Sequence, residues 1–381
     1  MTDEHRADRR SFLKTGAIAG TALAAGASGA IAQLAASSRP TKGDIAILRF
    51  LSAVEQIESD LWQQYAELGG VQDSEIPGLP TGGNTPYTTA LNNLDADMSQ
   101  YIHDNTEDEF SHHDFLNEYL ESIGAKEVDL SKFATLKGSQ ATGANKNKLR
   151  ITNLMQLTVD TSWWTRYRSR DKNPDLDPSF VFPQAVPSLF VKGKPHPAIP
   201  PVDITDTDPV GKAHIQAIAN TAAFHFGFIE QGGSSLYPTL ALRVTDPVVL
   251  RILLSIGPTE TMHFQVWHDK AGNAVSPPLA PLTFGDLTFP NLNAPPFPAP
   301  FGLEDFQTNL IMPEPCPFLN RKFPVVSVIR PVSINTSIFG AMVAVQGFTD
   351  DGLFNGQSSE FFKKLHNLAE DADNATRKCP D

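Results

Sequence analysis

The feature that most constrains this chain is a pattern that occurs twice. Ile57-Glu58 is followed by Tyr65, seven residues after the Glu, and downstream comes Glu109-Phe-Ser-His112. Ile229-Glu230 is likewise followed by Tyr237, and downstream comes Glu260-Thr-Met-His263. On a helix, positions i and i+3 point the same way, so the two side chains of Glu-x-x-His can converge on one metal ion. One helix giving a Glu and the next giving Glu-x-x-His, done twice, is the ligand set of a carboxylate-bridged two-metal site in a four-helix bundle. The candidate metal ligands are Glu58, Glu109, His112, Glu230, Glu260 and His263. Carboxylates with a minority of imidazoles suit two iron or two manganese ions better than zinc-thiolate or copper chemistry.

Scarcity sharpens the pattern. With 10 His and 16 Glu in 381 residues, chance supplies less than one Glu-x-x-His. From Val128 to Leu303 the only glutamates are Glu230 and Glu260. Phe224, Phe226 and Phe228 lead into the first, and Leu253, Leu254 and Ile256 into the second. Ordinary solvated glutamates are the opposing reading, but an unpaired charge on so apolar a helix is costly.

Spacing decides among the neighbours. Glu55 and Glu58 share a helix face; Glu58 is chosen because its interval to Tyr65 equals that of Glu230 to Tyr237, which leaves Glu55 as a supporting or solvated neighbour. His113 is read as facing outward, Glu107 fails the offset test, and His225 and His268 have no Glu at the right offset. Tyr65 and Tyr237 lie two turns beyond the chosen Glu and stay open to three roles: bonding a ligand carboxylate, serving as a redox-active phenol, or plain packing. Gly257-Pro258 should kink or bulge the helix just before Glu260, unless that helix starts afresh at Thr259.

Apolar periodicity at Ile45, Leu48, Leu51, Val54, Ile57 and Leu61 predicts a helix over 44–68, ended by Gly69-Gly70. A second is expected over 88–123, starting at 88 or at 95, and stopped by Gly124. A third spans 209–243, with soft spots at Gly232-Gly233 and Pro238. The fourth spans 246–271 and opens on Asp246-Pro247, a capping residue followed by proline at the first helical position. The two pairs form a bundle over 44–272. The insert over 125–208 supplies its long crossover and holds Trp163-Trp164 and a further helix read over 149–170. Prolines crowd 172–201 and 277–331, which excludes long helices there. The region 273–381 reads as an irregular Pro-rich wrapping extension ending in an amphipathic helix over 357–377.

Residues 1–37 read as an export signal. Arg9-Arg10-Ser11-Phe12-Leu13-Lys14 is a twin-arginine motif, an Ala/Gly-rich run follows, and Ala30-Ile31-Ala32 offers a small-x-small cleavage point. The run is too small and glycine-rich to hold a bilayer, so no stable membrane anchor is expected after cleavage, and the compartment is the periplasm or the exterior. A net charge of −13 without clustered Lys or Arg argues against a nucleic-acid partner. Cys316 and Cys379 are too few for a zinc cage and too far apart for a Cys-x-x-Cys pair; one disulfide or two free thiols both stay open.

With these motifs the chain resembles the ferritin-like superfamily, and more narrowly its exported members related to desiccation- and stress-associated proteins. The stretch Glu109-Phe-Ser-His-His-Asp-Phe-Leu is similar to that family's second helix. The resemblance implies a mainly α, ferritin-like four-helix bundle with two metals at the six named positions. It leaves the activity open. The leading expectation is a di-iron or di-manganese oxidoreductase acting on O2 or peroxide in envelope stress defence. The alternative is a non-catalytic, stress-associated structural or binding protein on the same bundle. Assembly into a homo-oligomer stays open.

Overall fold

The computed structural model describes residues 39–166, 181–204, 209–292, 312–314, 322, 326–328 and 340–378. The leader and both cysteines lie outside the described residues. Four long helices dominate: α1 (Lys42–Gly69), α3 (Met98–Ser122), α5 (Pro209–Ala241) and α6 (Pro247–Asn273). The shorter helices are α2 (Thr85–Leu94), α4 (Ser162–Arg166), α7 (Ala341–Asp351) and α8 (Ser359–Asp373). The architecture is a mainly helical bundle in which α1 packs on α3 and α5 on α6. Among the described residues no helix is long and apolar enough to cross a membrane.

Local chemistry sets the helix starts. Thr41 and Asp44 form a reciprocal capping box at α1. Asp44 uses its other oxygen to accept from the Thr245 N–H at 2.7 Å, which ties the start of α1 to the turn between α5 and α6. Asp246 caps α6 as expected, accepting from the Val248 and Val249 N–H groups, with Pro247 at the first helical position.

Three expectations need correction. The second predicted helix is two, because Asp95 closes α2 and α3 starts only at Met98. Both α5 and α6 run on through their internal prolines, so the alternative that the last helix starts afresh at Thr259 is the one that fails. The helix read over 149–170 is confined, within the described residues, to α4.

The insert is instead pinned as irregular chain onto α1. A two-residue ladder pairs β1 (Leu136–Lys137) with β2 (Leu149–Arg150). The Asp60 carboxylate then accepts from the Ile151 N–H at 3.0 Å, the Thr152 N–H at 2.9 Å and the Thr152 hydroxyl at 2.7 Å. Arg150 makes a buried ion pair with Glu67, whose carboxylate also accepts from the Asn145 N–H. Asp60, Gln63, Gln64 and Glu67 are buried in consequence. The extension adds the hairpin β3 (Leu282–Phe284) with β4 (Leu287–Phe289), and the pair β5 (Met312–Glu314) with β6 (Val326–Val328). α7 and α8 pack on each other, and α8 also on α1.

Candidate metal centre

The acidic and imidazole side chains of the motif meet in the middle of the bundle. α1 contributes Glu55 and Glu58, α3 contributes Glu109 and His112, α5 contributes Glu230, and α6 contributes Glu260 and His263. All seven are buried; only the two histidines reach a sliver of surface. They form two overlapping groups: Glu55, Glu109, His112 and Glu260, and Glu109, Glu230, Glu260 and His263. In each, the ligand-type atoms lie within 4.8 Å of one another. Glu109 and Glu260 belong to both, the position of a bridging carboxylate.

The imidazoles face inward through Nδ1. His112 Nδ1 lies 3.1 Å from Glu109, 3.3 Å from Glu55 and 3.3 Å from Glu260. His263 Nδ1 lies 3.2 Å from Glu109 and 3.3 Å from Glu230, while its Nε2 points outward to Asp108 at 3.0 Å. That outer carboxylate fixes the ring's orientation, as supporting partners of ligand histidines do. The Asn105 amide donates to Glu109 at 2.8 Å and to Glu230 at 3.1 Å, and accepts from the Trp267 indole N–H at 2.7 Å.

Five of the six residues singled out from the sequence converge. Glu58 is buried one turn along α1 with one oxygen lacking a hydrogen-bond partner, but it stands outside both groups, and Glu55 occupies the corresponding place. The two tyrosines explain why equal spacing did not mean equal role. The Tyr237 hydroxyl donates to Glu55, whereas Tyr65 turns away to His225 Nδ1 at 2.7 Å. His113, expected to face outward, is instead half-buried and bonds Ser59 of α1 at 2.8 Å. Glu107 and His103 face each other away from the centre. His268 is buried between Trp163 and Phe264. Asn105, Asp108 and Trp267 were not singled out. An amide four residues before a ligand Glu, on the same helix face, was the available signal for Asn105.

So many carboxylates in one dry volume resist ionisation together. Burial, reinforced by Glu55, Glu260, Glu109 and Glu230, pushes Glu58 well above the usual carboxylate range. Burial and the Glu109 and Glu55 charges do the same to Glu260. Burial raises Glu109 to about 7 even against the pull of His112. Glu55 is also pushed up by burial, but His112 and its hydrogen bonds overcome that, leaving it below its ordinary value. Burial lowers His112 and His263, yet their carboxylate partners win and hold both imidazoles well above normal.

The donor set fits a pair of hard divalent cations. Both oxygens of Glu260 and one each of Glu55 and Glu58 are buried without a hydrogen-bond partner, a costly state that cation contact would resolve. The fold also leaves room for this arrangement at Gly233. A Cβ there would overlap Glu260 Oε2 and come within 3.1 Å of its Cδ, so only glycine on α5 lets that carboxylate lie where it does.

A ferritin-like domain family matches residues 43–273, the span from the start of α1 to the end of α6. No curated protein and no solved structure matches the chain.

Proposed function

The chain belongs to the ferritin-like domain family, and on that footing we propose that it is an exported di-metal protein holding two iron or two manganese ions and acting as an oxidoreductase on O2 or peroxide, in defence of the cell envelope against stress. The observation that carries this is the overlap of the two ligand groups at Glu109 and Glu260. Two shared carboxylates, one private carboxylate for each group (Glu55 and Glu230) and one imidazole for each give a pair of equivalent positions. Glu58 is a fifth carboxylate beside them. Such a pair of ions, when bound, supplies two-electron chemistry toward O2 or peroxide.

The chain's own residues do the rest. Asn105 orients Glu109 and Glu230, Asp108 orients His263, and Tyr237 holds Glu55 through its hydroxyl. The surrounding core, including Trp62, Phe226 and Trp267, excludes water and so strengthens every charge interaction inside. Export rests on the Arg9-Arg10 motif and the small-residue run after it.

The test is elemental analysis of the folded protein beside three variants. The expected result is about two iron or manganese per chain, lost in Glu109→Ala/Glu260→Ala, reduced in Glu55→Gln and retained in Glu58→Gln. Peroxide and oxygen consumption should follow the metal. No metal, or a lone zinc untouched by the double variant, would sink the oxidoreductase reading in favour of a stress-associated structural or binding protein.

A further inference from the structure

A second buried device lies about three turns along α1 from Glu55, and nothing in the ligand set uses it. The Tyr65 hydroxyl sits 2.7 Å from His225 Nδ1, and His225 Nε2 sits 3.1 Å from Asp351 Oδ2, off the line of a straight hydrogen bond. Tyr65 and His225 are wholly enclosed, and Asp351 nearly so. Asp351 is the last residue of α7, so the C-terminal extension delivers the third member into the bundle.

This trio is joined to the centre by aromatic rings in contact. The ring of Tyr65 lies 5.7 Å from that of Trp62, and Trp62 stacks on Trp267 at 5.4 Å and 24°. Phe226 fills the angle, 4.6 Å from Tyr65, 4.9 Å from Trp62 and 4.6 Å from Trp267. Trp267 in turn donates to Asn105, which holds Glu109 and Glu230. No other stretch of the core links a buried phenol to the ligand carboxylates through stacked indoles among the described residues.

The hydrogen bonding along the run differs from ring to ring in a way that gives it a direction. Among the described residues the Trp62 indole N–H has no acceptor, and that of Trp267 meets only a neutral amide oxygen. Neither indole can shed its proton when oxidised, so a positive charge on either stays mobile. Tyr65 alone in the run faces a base. Oxidation of a phenol releases its proton very readily, and His225 Nδ1 is placed to take it. Tyr101 also touches Trp267 edge-on, but Lys270 Nζ lies over its ring, and a cation there opposes loss of an electron.

We propose that Tyr65 is a one-electron donor to the metal centre, wired to it by Trp62 and Trp267, with His225 as the proton acceptor and Asp351 as the group that orients His225. This rests on the di-metal reading above. Were the centre loaded and oxidised, Tyr65 would supply it with one electron, its O–H bond breaking as an N–H bond forms at His225 Nδ1. A neutral phenoxyl and an imidazolium facing Asp351 remain. The oxidant is O2 or peroxide.

The deciding experiment needs no metal. An ultraviolet flash photo-ionises tryptophans in the full chain as isolated, and transient absorption follows the tryptophan radical into a tyrosyl radical. The expected result is a conversion independent of protein concentration in the native chain. It should be lost in Tyr65→Phe and in Trp62→Phe, slowed in His225→Gln, and unchanged in Tyr101→Phe, with circular dichroism confirming that each variant is folded. Trp62→Phe breaks the run without touching the hydrogen-bonded trio, so it decides the matter even if Tyr65→Phe misfolds. Absence of conversion in the native chain, or conversion at the native rate in a folded Tyr65→Phe or Trp62→Phe, overturns the proposal and leaves the metal reading intact. Failure of the metal analysis overturns that reading while the flash still decides whether the relay exists.

Discussion

His103 shows how one buried side chain of α3, turned away from the centre, can carry a pH signature of its own. Its Nε2 lies 2.9 Å from Asp73, and its Nδ1 faces Asp104 at 3.7 Å and Glu107 at 3.8 Å. The Asp104 contact, opposed by burial and joined by Asp73 and Glu107, holds this imidazole up at about 9. A histidine whose folded value is raised contributes stability that is complete below its unfolded value of about 6.5 and fades as pH rises through the folded one. We expect His103→Gln to cost about 1–2 kcal/mol at mildly acid pH, less than the full shift because the carboxylates are partly hydrated. The gap to the native chain should close above pH of about 9. Urea titrations at both extremes check this; a gap that widens with pH would show that the acidic partners are not engaged. The same scale marks the limit of reading ligands from spacing. The convergence of Glu109 with His112 and of Glu260 with His263 was legible because i, i+3 geometry on one helix is fixed by the backbone, and Glu230 stood out by the scarcity of glutamate around it. Glu55 was not legible, because the choice between it and Glu58 turns on which way Tyr65 and Tyr237 point across to other helices.

At the scale of elements, two adjacent glycines in α5 make a controlled comparison. Replacing helical Gly by Ala ordinarily gains up to about 1 kcal/mol. A Cβ added at Gly232 would meet only open space, so Gly232→Ala should show that gain and keep its metal. Gly233→Ala should remain helical by circular dichroism yet lose metal on elemental analysis, because its Cβ evicts the Glu260 carboxylate. Equal metal content in the two variants would refute the placement of Glu260. Three of the long helices were legible to within about two residues, since apolar periodicity, Gly69-Gly70 and Asp246-Pro247 act locally. The helix expected over 149–170 failed for a reason no local pattern holds: the Ile151 and Thr152 N–H groups are taken by Asp60 of α1, and Leu157 pairs with His196. Helix α7 gave no strong signal either. Its N-terminal N–H groups at Ala341 and Met342 are satisfied from a distance, by Asp373.

Across the whole molecule, the insert acts as a structural wall for α1. Arg150 and Glu67 form an ion pair shut away from water, with Glu67 Oε1 and two Arg150 nitrogens lacking hydrogen-bond partners. Removing one member leaves the other charge buried, so Arg150→Met should cost about 3–5 kcal/mol, and Arg150→Met/Glu67→Leu should recover most of it. Thermal and denaturant melts of the pair check this; an additive double variant would mean the two charges are not coupled. The helical bundle was foreseeable from the two motif pairs, but the polar contacts that bind the insert to it were not. The doubled motif also disguises an inequality. Glu230 and His263 are braced by Asn105 and Asp108, whereas on the other side Glu55 rests on Tyr237 and, among the described residues, His112 has no outer carboxylate partner such as Asp108. Two halves alike in composition therefore differ in bracing: an outer carboxylate fixes the imidazole in one and not in the other. A cation entering this centre would therefore meet firmly held carboxylate and imidazole groups on one side and freer ones on the other.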